Sequence, residues 1–254
     1  MRWIWTLRSC LSTVAFGLLT FLFSGSCVLA SFVSSSPRVA RWHLKWWGRI
    51  ACFLFGVRVV VHGFENWPFR SGAVVLFNHT SFFDVFAMTG YLPDMRFGAK
   101  QELFRIPIFG SAMRRVGILP IDRARREKVF QIYEKSAERL RGGQKIGLAP
   151  EGTRTQTPNS LGPFKAGPFV FALQAHVPLV PVVITGAYDI MPKGAWLPNA
   201  WRSGSELHLE ILPMVSWDQQ THADRTELQN QVRDAMQAAL ARSSEARENS
   251  LNNF

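Results

Sequence analysis

Ala73-Val74-Val75-Leu76-Phe77-Asn78-His79-Thr80-Ser81-Phe82-Phe83-Asp84 is the stretch from which the rest of the chain can be read. Five apolar residues in a row suggest a strand buried on both faces, as in a parallel sheet. The pattern Ser81-x-x-Asp84, followed by Val85-Phe86-Ala87-Met88, is a helix-start signature. A strand therefore hands over to a helix here, with an imidazole and a carboxylate at the junction. Residues five apart on a regular helix lie well apart around its axis, so His79 and Asp84 can meet only through the intervening turn. A carboxylate that holds one imidazole nitrogen leaves the other able to take a proton from a hydroxyl. The same residues also admit a purely structural reading, in which Asp84 completes a cap and His79 ends a strand. The local pattern leaves both open.

Working outward, strands are expected over residues 57–61, 96–99, 118–121, 145–149 and 179–184, with an edge strand at 207–212. A short interfacial helix is expected to begin near residue 46. Further helices are expected from residue 81, over 103–116 (broken at Pro107 and Gly110), over 125–141 (closed by Gly142-Gly143), over 165–175 and over 226–242. The polar tail after Ser243 is expected to fray. Alternating strands and helices indicate an α/β fold with a largely parallel sheet flanked by helices.

No charged residue occurs between Arg8 and Arg38. Residues 11–32 are apolar with small residues interspersed, long enough for a spanning helix, which needs roughly 20 residues. Trp3 and Trp5 flank one end; Trp42, Trp46 and Trp47 flank the other, as at membrane interfaces. A cleaved signal with Val28-Leu29-Ala30 at its end is the competing reading. The basic and aromatic residues that continue afterwards favour a membrane helix, and the larger count of basic residues after it favours a cytoplasmic C-terminal side. A helix or hairpin lying in the interface is the further alternative. The division expected is a membrane anchor and interfacial segment over residues 1–45 and a domain over 46–254.

The net charge is +11 and the isoelectric point about 10.3. Such a chain can face nucleic acid, a membrane surface or an anionic substrate. With no zinc-finger spacing, no RNA-binding aromatic signature and an apolar N-terminal segment, an anionic membrane surface is expected and nucleic acid is not. The three cysteines form no C-x-x-C pair, so neither a metal site nor a disulfide framework is expected.

Nucleophile-elbow, dinucleotide, P-loop and H-E-x-x-H motifs are absent. What remains is the His79/Asp84 pair and two basic motifs, Ile118-Leu119-Pro120-Ile121-Asp122-Arg123 and Pro150-Glu151-Gly152-Thr153-Arg154. Each follows an expected strand, and ligands of open α/β sheets bind beyond the carboxyl ends of strands. An imidazole base beside two guanidinium groups suits a hydroxyl substrate that carries a phosphate.

These motifs resemble those of the glycerophospholipid acyltransferases, especially the 1-acyl-glycerol-3-phosphate acyltransferases. Residues 78–84 resemble the family's H-x4-D block. Residues 117–123, 149–154 and 177–182 resemble its second, third and fourth blocks, in order, over a motif core of residues 73–185. Ala99-Lys100-Gln101-Glu102-Leu103 and Phe164-Lys165-Ala166-Gly167 also look familial. Ala149 replaces the usual phenylalanine and Thr155 the frequent serine.

The resemblance implies an enzyme in which Asp84 orients His79, and His79 takes the proton from a lysophospholipid hydroxyl. That oxygen attacks an acyl thioester, acyl-CoA or acyl-carrier protein, with no metal or other cofactor. Arg123 would bind the acceptor phosphate, and Glu151, Gly152, Thr153 and Arg154 would help position the acceptor. The product would be phosphatidic acid, made at the cytoplasmic face of a bacterial inner membrane. Two alternatives stand beside this. The acceptor could be another lysolipid, such as lyso-ornithine lipid or a head-group lysophospholipid, or the chain could be a non-catalytic basic protein of the membrane surface.

Overall fold

The computed structural model describes residues 2–34, 36–122, 126–199, 205–216 and 225–252. In chain order the elements are α1 (Arg2–Val33), α2 (Pro37–Leu54), β1 (Arg58–His62), β2 (Ala73–Phe77), α3 (Phe83–Tyr91), β3 (Met95–Lys100), α4 (Phe109–Val116) and β4 (Leu119–Ile121). They continue with α5 (Arg126–Arg141), β5 (Lys145–Leu148), α6 (Gly167–Ala175), β6 (Leu179–Thr185), the single turn α7 (Ala187–Ile190), β7 (Glu206–Ile211) and α8 (Arg225–Asn252).

The seven strands form one sheet in the order β1-β7-β6-β2-β5-β3-β4. β2 to β6 are mutually parallel, so their carboxyl ends share one edge. β7 runs antiparallel to β6, and β1 runs parallel to β7. The expected α/β architecture with a largely parallel sheet is therefore present.

Every residue of β2 is buried, because helices cover both faces of the sheet. Val74 and Leu76 face a core that includes Phe169 and Phe171 of α6, Tyr133 and Leu140 of α5, and Val232 and Met236 of α8. Ala73, Val75 and Phe77 face the other core, with Phe83, Ala87 and Met88 of α3 and Cys52 of α2. Burying each large apolar side chain contributes about 1.5–3 kcal/mol. The uninterrupted apolar run thus reports a strand with two buried faces.

Three sequence expectations change. β7 is not an edge strand: β1 pairs along its outer side. Its alternation of Leu207, Leu209 and Ile211 inward reports which face is covered, and says nothing of lateral neighbours. α8 continues past Ser243 to Asn252. Ser243 Oγ lies 3.2 Å from Glu210 Oε2, which ties that turn of the helix to β7. The helix expected near residue 46 begins at Pro37, where Ser36 caps it by accepting a hydrogen bond from the Arg38 N–H.

α1 contains a 31-residue segment, Trp3–Val33, long and apolar enough to cross a membrane. It is not isolated from the rest of the fold. Three of the small polar residues along it are rungs to the antiparallel α2: Ser12 Oγ donates to Leu54 O (2.8 Å), Trp47 Nε1 donates to Thr20 Oγ1 (3.0 Å), and Ser26 Oγ meets His43 Nε2 (3.1 Å), while Thr13, Ser24 and Ser31 donate to carbonyls of α1 itself. α2 in turn packs against α3 at the close approach of Gly48 and Gly90. A Cβ at Gly48 would collide with Phe86 O, Thr89 Oγ1 and Gly90 N.

Gly48→Val is accordingly expected to push α2 off α3 and destabilise the protein by about 1–3 kcal/mol, the usual range for overpacking. Thermal denaturation of the purified chain checks this. An unchanged Tm would mean that the contact with α3 does not hold the α1–α2 hairpin in place.

Candidate active site

Beyond the end of β2 the chain turns sharply into α3, and Asp84 controls the turn. Its Oδ2 accepts hydrogen bonds from the backbone N–H of Thr80 (2.8 Å) and Ser81 (2.9 Å) and lies 2.8 Å from His79 Nδ1. Ser81 Oγ accepts from the Phe83 N–H at 3.2 Å. The helix expected from Ser81 starts at Phe83 with Phe82 at its N-cap and no side-chain cap; Ser81 and Asp84 instead tie the turn just ahead of it, and that turn brings His79 and Asp84 together.

Asp84 is fully buried and its Oδ1 makes no hydrogen bond. A carboxylate oxygen only accepts, so the proton of the Nδ1···Oδ2 contact sits on Nδ1. The tautomer is thereby fixed, and the lone pair of the ring is left on Nε2.

Asn78 holds the imidazole's base in place from the other side. Its Nδ2 donates to Ile184 O (2.8 Å) and its Oδ1 accepts from Ile184 N (2.7 Å). The side chain thus continues the β2–β6 ladder where the β2 backbone has already turned away.

Glu151, after β5, braces the third side. Its Oε1 accepts from the His79 N–H at 3.4 Å and its Oε2 from the Gly162 N–H at 2.9 Å. Burial pushes its carboxyl above the usual carboxylate range; the Gly162 and His79 amides and the His79 charge oppose that shift, and the Asp84 charge adds to it. Gly152, at φ +74°, lets the loop double back, and the space beside it is taken by the Lys165 side chain.

His79 lines a cavity of about 560 Å³. Its walls are largely apolar and come from α1 (Phe16, Phe23), α2 (Trp47), α3 (Phe86) and α4 (Met113). Thr153, Arg154, Lys100 and Lys193 line it as well. The Arg154 guanidinium stands 4.2 Å above the Phe82 ring centroid, a cation–π distance.

The structure thus gathers His79, Asp84, Glu151, Gly152, Thr153 and Arg154 at the carboxyl edge of the sheet. Arg123 lies outside the described residues. Sequence reasoning gave no role to Asn78, Lys100 or Lys193. Lys100 could have been found, since it ends an expected strand as the other motifs do. Lys193 belongs to no pattern.

The site thus presents an imidazole held by a buried carboxylate in the wall of a largely apolar cavity, beyond the carboxyl edge of a parallel α/β sheet. The acyltransferase family model matches residues 58–185, just over half of the chain, and the chain belongs to that family. It is 34% identical over 188 residues to the 1-acyl-sn-glycerol-3-phosphate acyltransferase alpha of Mus musculus, covering 73% of this chain and 65% of that protein. It is 32% identical over 152 residues to the chloroplastic 1-acyl-sn-glycerol-3-phosphate acyltransferase BAT2 of Brassica napus, covering 59% of this chain and 44% of that protein. The match therefore spans less than half the length of the plant relative and just under two thirds of the mouse one. The fold is shared with the crystal structure of the 1-acyl-sn-glycerophosphate (LPA) acyltransferase PlsC from Thermotoga maritima. That likeness has a TM-score of 0.75 at 24% identity, over 94% of this chain and 97% of that one.

Two consequences for stability are testable. Asn78→Ala strands the buried N–H and C=O of Ile184, a loss of about 1–3 kcal/mol that a denaturant titration would register. Glu151 has a folded pKa above its unfolded one, so its contribution to stability is present below the unfolded value and is lost as pH rises through the folded value. Glu151→Gln removes that dependence. Its Tm relative to the parent is therefore expected to improve as pH is raised from about 4 to about 7, across the carboxylate range.

Proposed function

We propose that this chain transfers a fatty acyl group from a thioester donor, acyl-CoA or acyl-carrier protein, to the free hydroxyl of 1-acyl-glycerol-3-phosphate, giving phosphatidic acid. The observation that carries this reading is the His79–Asp84 contact in the wall of a largely apolar cavity that also presents Arg154, Lys100 and Lys193. A catalytic base, an acyl-sized void and cations for a phosphate are the three things such a reaction requires. The names of the mouse and Brassica relatives agree with it.

In the proposed mechanism Nε2 of His79 removes the hydroxyl proton as the acceptor oxygen attacks the thioester carbon. The C–S bond breaks, and the thiolate leaves and takes up a proton. Asp84 stabilises the imidazolium formed in between and keeps the ring in its productive tautomer. Help of this kind is worth about 10²–10⁴ in rate. The thioester is already activated, so no covalent enzyme intermediate and no metal is needed. Arg154 and Arg123 are assigned to the acceptor phosphate, with Thr153 and Gly152 positioning the acceptor. Glu151 supports this arrangement through the backbone of His79.

The same reading places the protein on a membrane. The outer face of α1, with Leu11, Leu18, Leu22 and Leu29, is exposed and apolar, as are Trp42 and Trp46 on α2. α1 is fastened to α2, and α2 to the sheet domain, so the hairpin is proposed to lie in one leaflet with the domain beside it. The proposed location is the cytoplasmic face of a bacterial inner membrane, with the basic surface toward anionic lipid.

Purified protein supplied with lysophosphatidic acid and each donor should form phosphatidic acid. His79→Ala should lower kcat by about 10²–10⁴ or more while the far-UV spectrum and micelle association are unchanged. Full activity in that variant would sink the proposal. A panel of acceptors decides the substrate: preference for lyso-ornithine lipid or a head-group lysophospholipid over lysophosphatidic acid would replace the acceptor named here and keep the reaction.

A further inference from the structure

A second cavity, of about 530 Å³, lies at the opposite edge of the sheet. Its walls come from the starts of strands: Arg96 is the second residue of β3, and Gly117 and Gln144 lie just ahead of β4 and β5. The turn between α1 and α2 closes it from above. Cys27 and Val116 belong to the walls of both cavities and so separate this one from the His79 site.

Four arginines line it; the Arg114 guanidinium is engaged by Phe104 O (3.0 and 3.2 Å), which leaves three others, Arg96, Arg115 and Arg139. Arg96 is only 3% exposed, yet its Nε has no hydrogen-bond partner, while its Nη1 donates to Met95 O at 2.8 Å. Arg139 donates from Nη2 to Gly117 O (2.8 Å) and from Nε to Gln144 Oε1 (3.0 Å). Arg115 donates to Ser31 Oγ and stands 5.5 Å above the Phe32 ring. Among the described residues none of the three makes an ion pair. The acid whose charge reaches Arg96, Asp94, is already held by Arg41 at 3.1 Å.

Buried positive charge without a counterion is unfavourable, and such groups are normally paired or hold a ligand. Burial pulls Arg96 down to about 10 and holds Arg139 below its ordinary value. Gly117 keeps the space open. Its φ is +87°, and a Cβ there would collide with Arg139 Nη2 and lie 3.6 Å from Arg96 Nε. The N-terminus of the 18-residue helix α2 adds its positive dipole end to the same cavity.

The occupant is suggested by what borders the opening. Phe32 and Val33, at the end of the apolar outer face of α1, are 77% and 91% exposed. Cations for a phosphate therefore sit directly beside a surface for acyl chains, and guanidinium groups match phosphate oxygens well. We propose that this pocket binds the phosphate of an anionic membrane phospholipid, held by Arg96, Arg115 and Arg139, with the lipid tails along the exposed face of α1. It is a second lipid site, on the opposite edge of the sheet from His79, and it does not depend on acyl transfer.

The test uses the full chain in neutral-detergent micelles without acyl donor. Phosphatidylglycerol, phosphatidylcholine or inorganic phosphate is added, and Tm is followed. Phosphatidylglycerol is expected to raise Tm saturably, because a ligand of the folded state stabilises it. Half-saturation should be about tenfold weaker in Arg115→Ala and Arg139→Gln, the loss of one charge-assisted contact. Arg154→Ala, altered at the other cavity, should keep the response. Equal responses in the parent and in Arg115→Ala and Arg139→Gln would overturn the proposal, as would an equal rise with phosphatidylcholine. A rise produced by inorganic phosphate alone would overturn the lipid source in favour of a soluble anion. Should Arg139→Gln fail to fold, Arg115→Ala, whose side chain is exposed, decides the matter alone.

Discussion

One buried carboxylate oxygen organises this protein's site. Asp84 Oδ2 meets three N–H groups within 2.9 Å, two from the backbone of the turn and one from the His79 ring. Each bond to a charged acceptor contributes about 1.5–3 kcal/mol. Together they replace the water that the carboxylate gave up on burial. Remove that oxygen and three things fail together: the exit from β2, the start of α3 and the orientation of the imidazole. Glu151 performs the complementary task over a longer reach, tying the backbone of His79 to Gly162. Asn78 fastens the same segment to β6. The histidine is therefore gripped from three directions by side chains whose own geometry is fixed by backbone groups, as the proposed general base would need if its position is not to drift.

The local part of this was legible from the chain. β2 announces itself because a strand covered on both faces must be continuously apolar. The His79–Asp84 contact was legible because a turn joining residues five apart is a short-range event. Glycine, proline and serine mark such turns wherever they occur. What sequence could not disclose was set by distant partners. The pairing of Asn78 with Ile184 joins residues 106 positions apart. The two amides gripped by Glu151 belong to loops that meet only once the sheet is assembled. β7 alternates as an edge strand would, and only the return of β1 to its flank makes it internal.

The N-terminal segment teaches the same lesson in a different way. Its length and apolarity were plain, but its serines and threonines read as mere interruptions of an apolar run. Paired with α2, Ser12, Thr20 and Ser26 become the contacts that set the hairpin's register. A helix that only needed to be greasy would have no use for them. The third partner, His43, is buried at the far side of the cavity from the sheet and would be an expensive residue in hydrocarbon without Ser26 and Val39 O as neighbours.

α1 also supplies Phe16, Thr20, Phe23, Ser24 and Cys27 to the wall of the His79 cavity. Cutting the chain after residue 33 would therefore not give the same domain less one apolar helix. It would give a domain with its chamber laid open and Trp47 and Phe86 stripped of their contact with Phe16. Replacing α1 with an unrelated apolar helix would restore its length and leave the breach. Apolar helix and chamber are one part, and neither can be exchanged by itself.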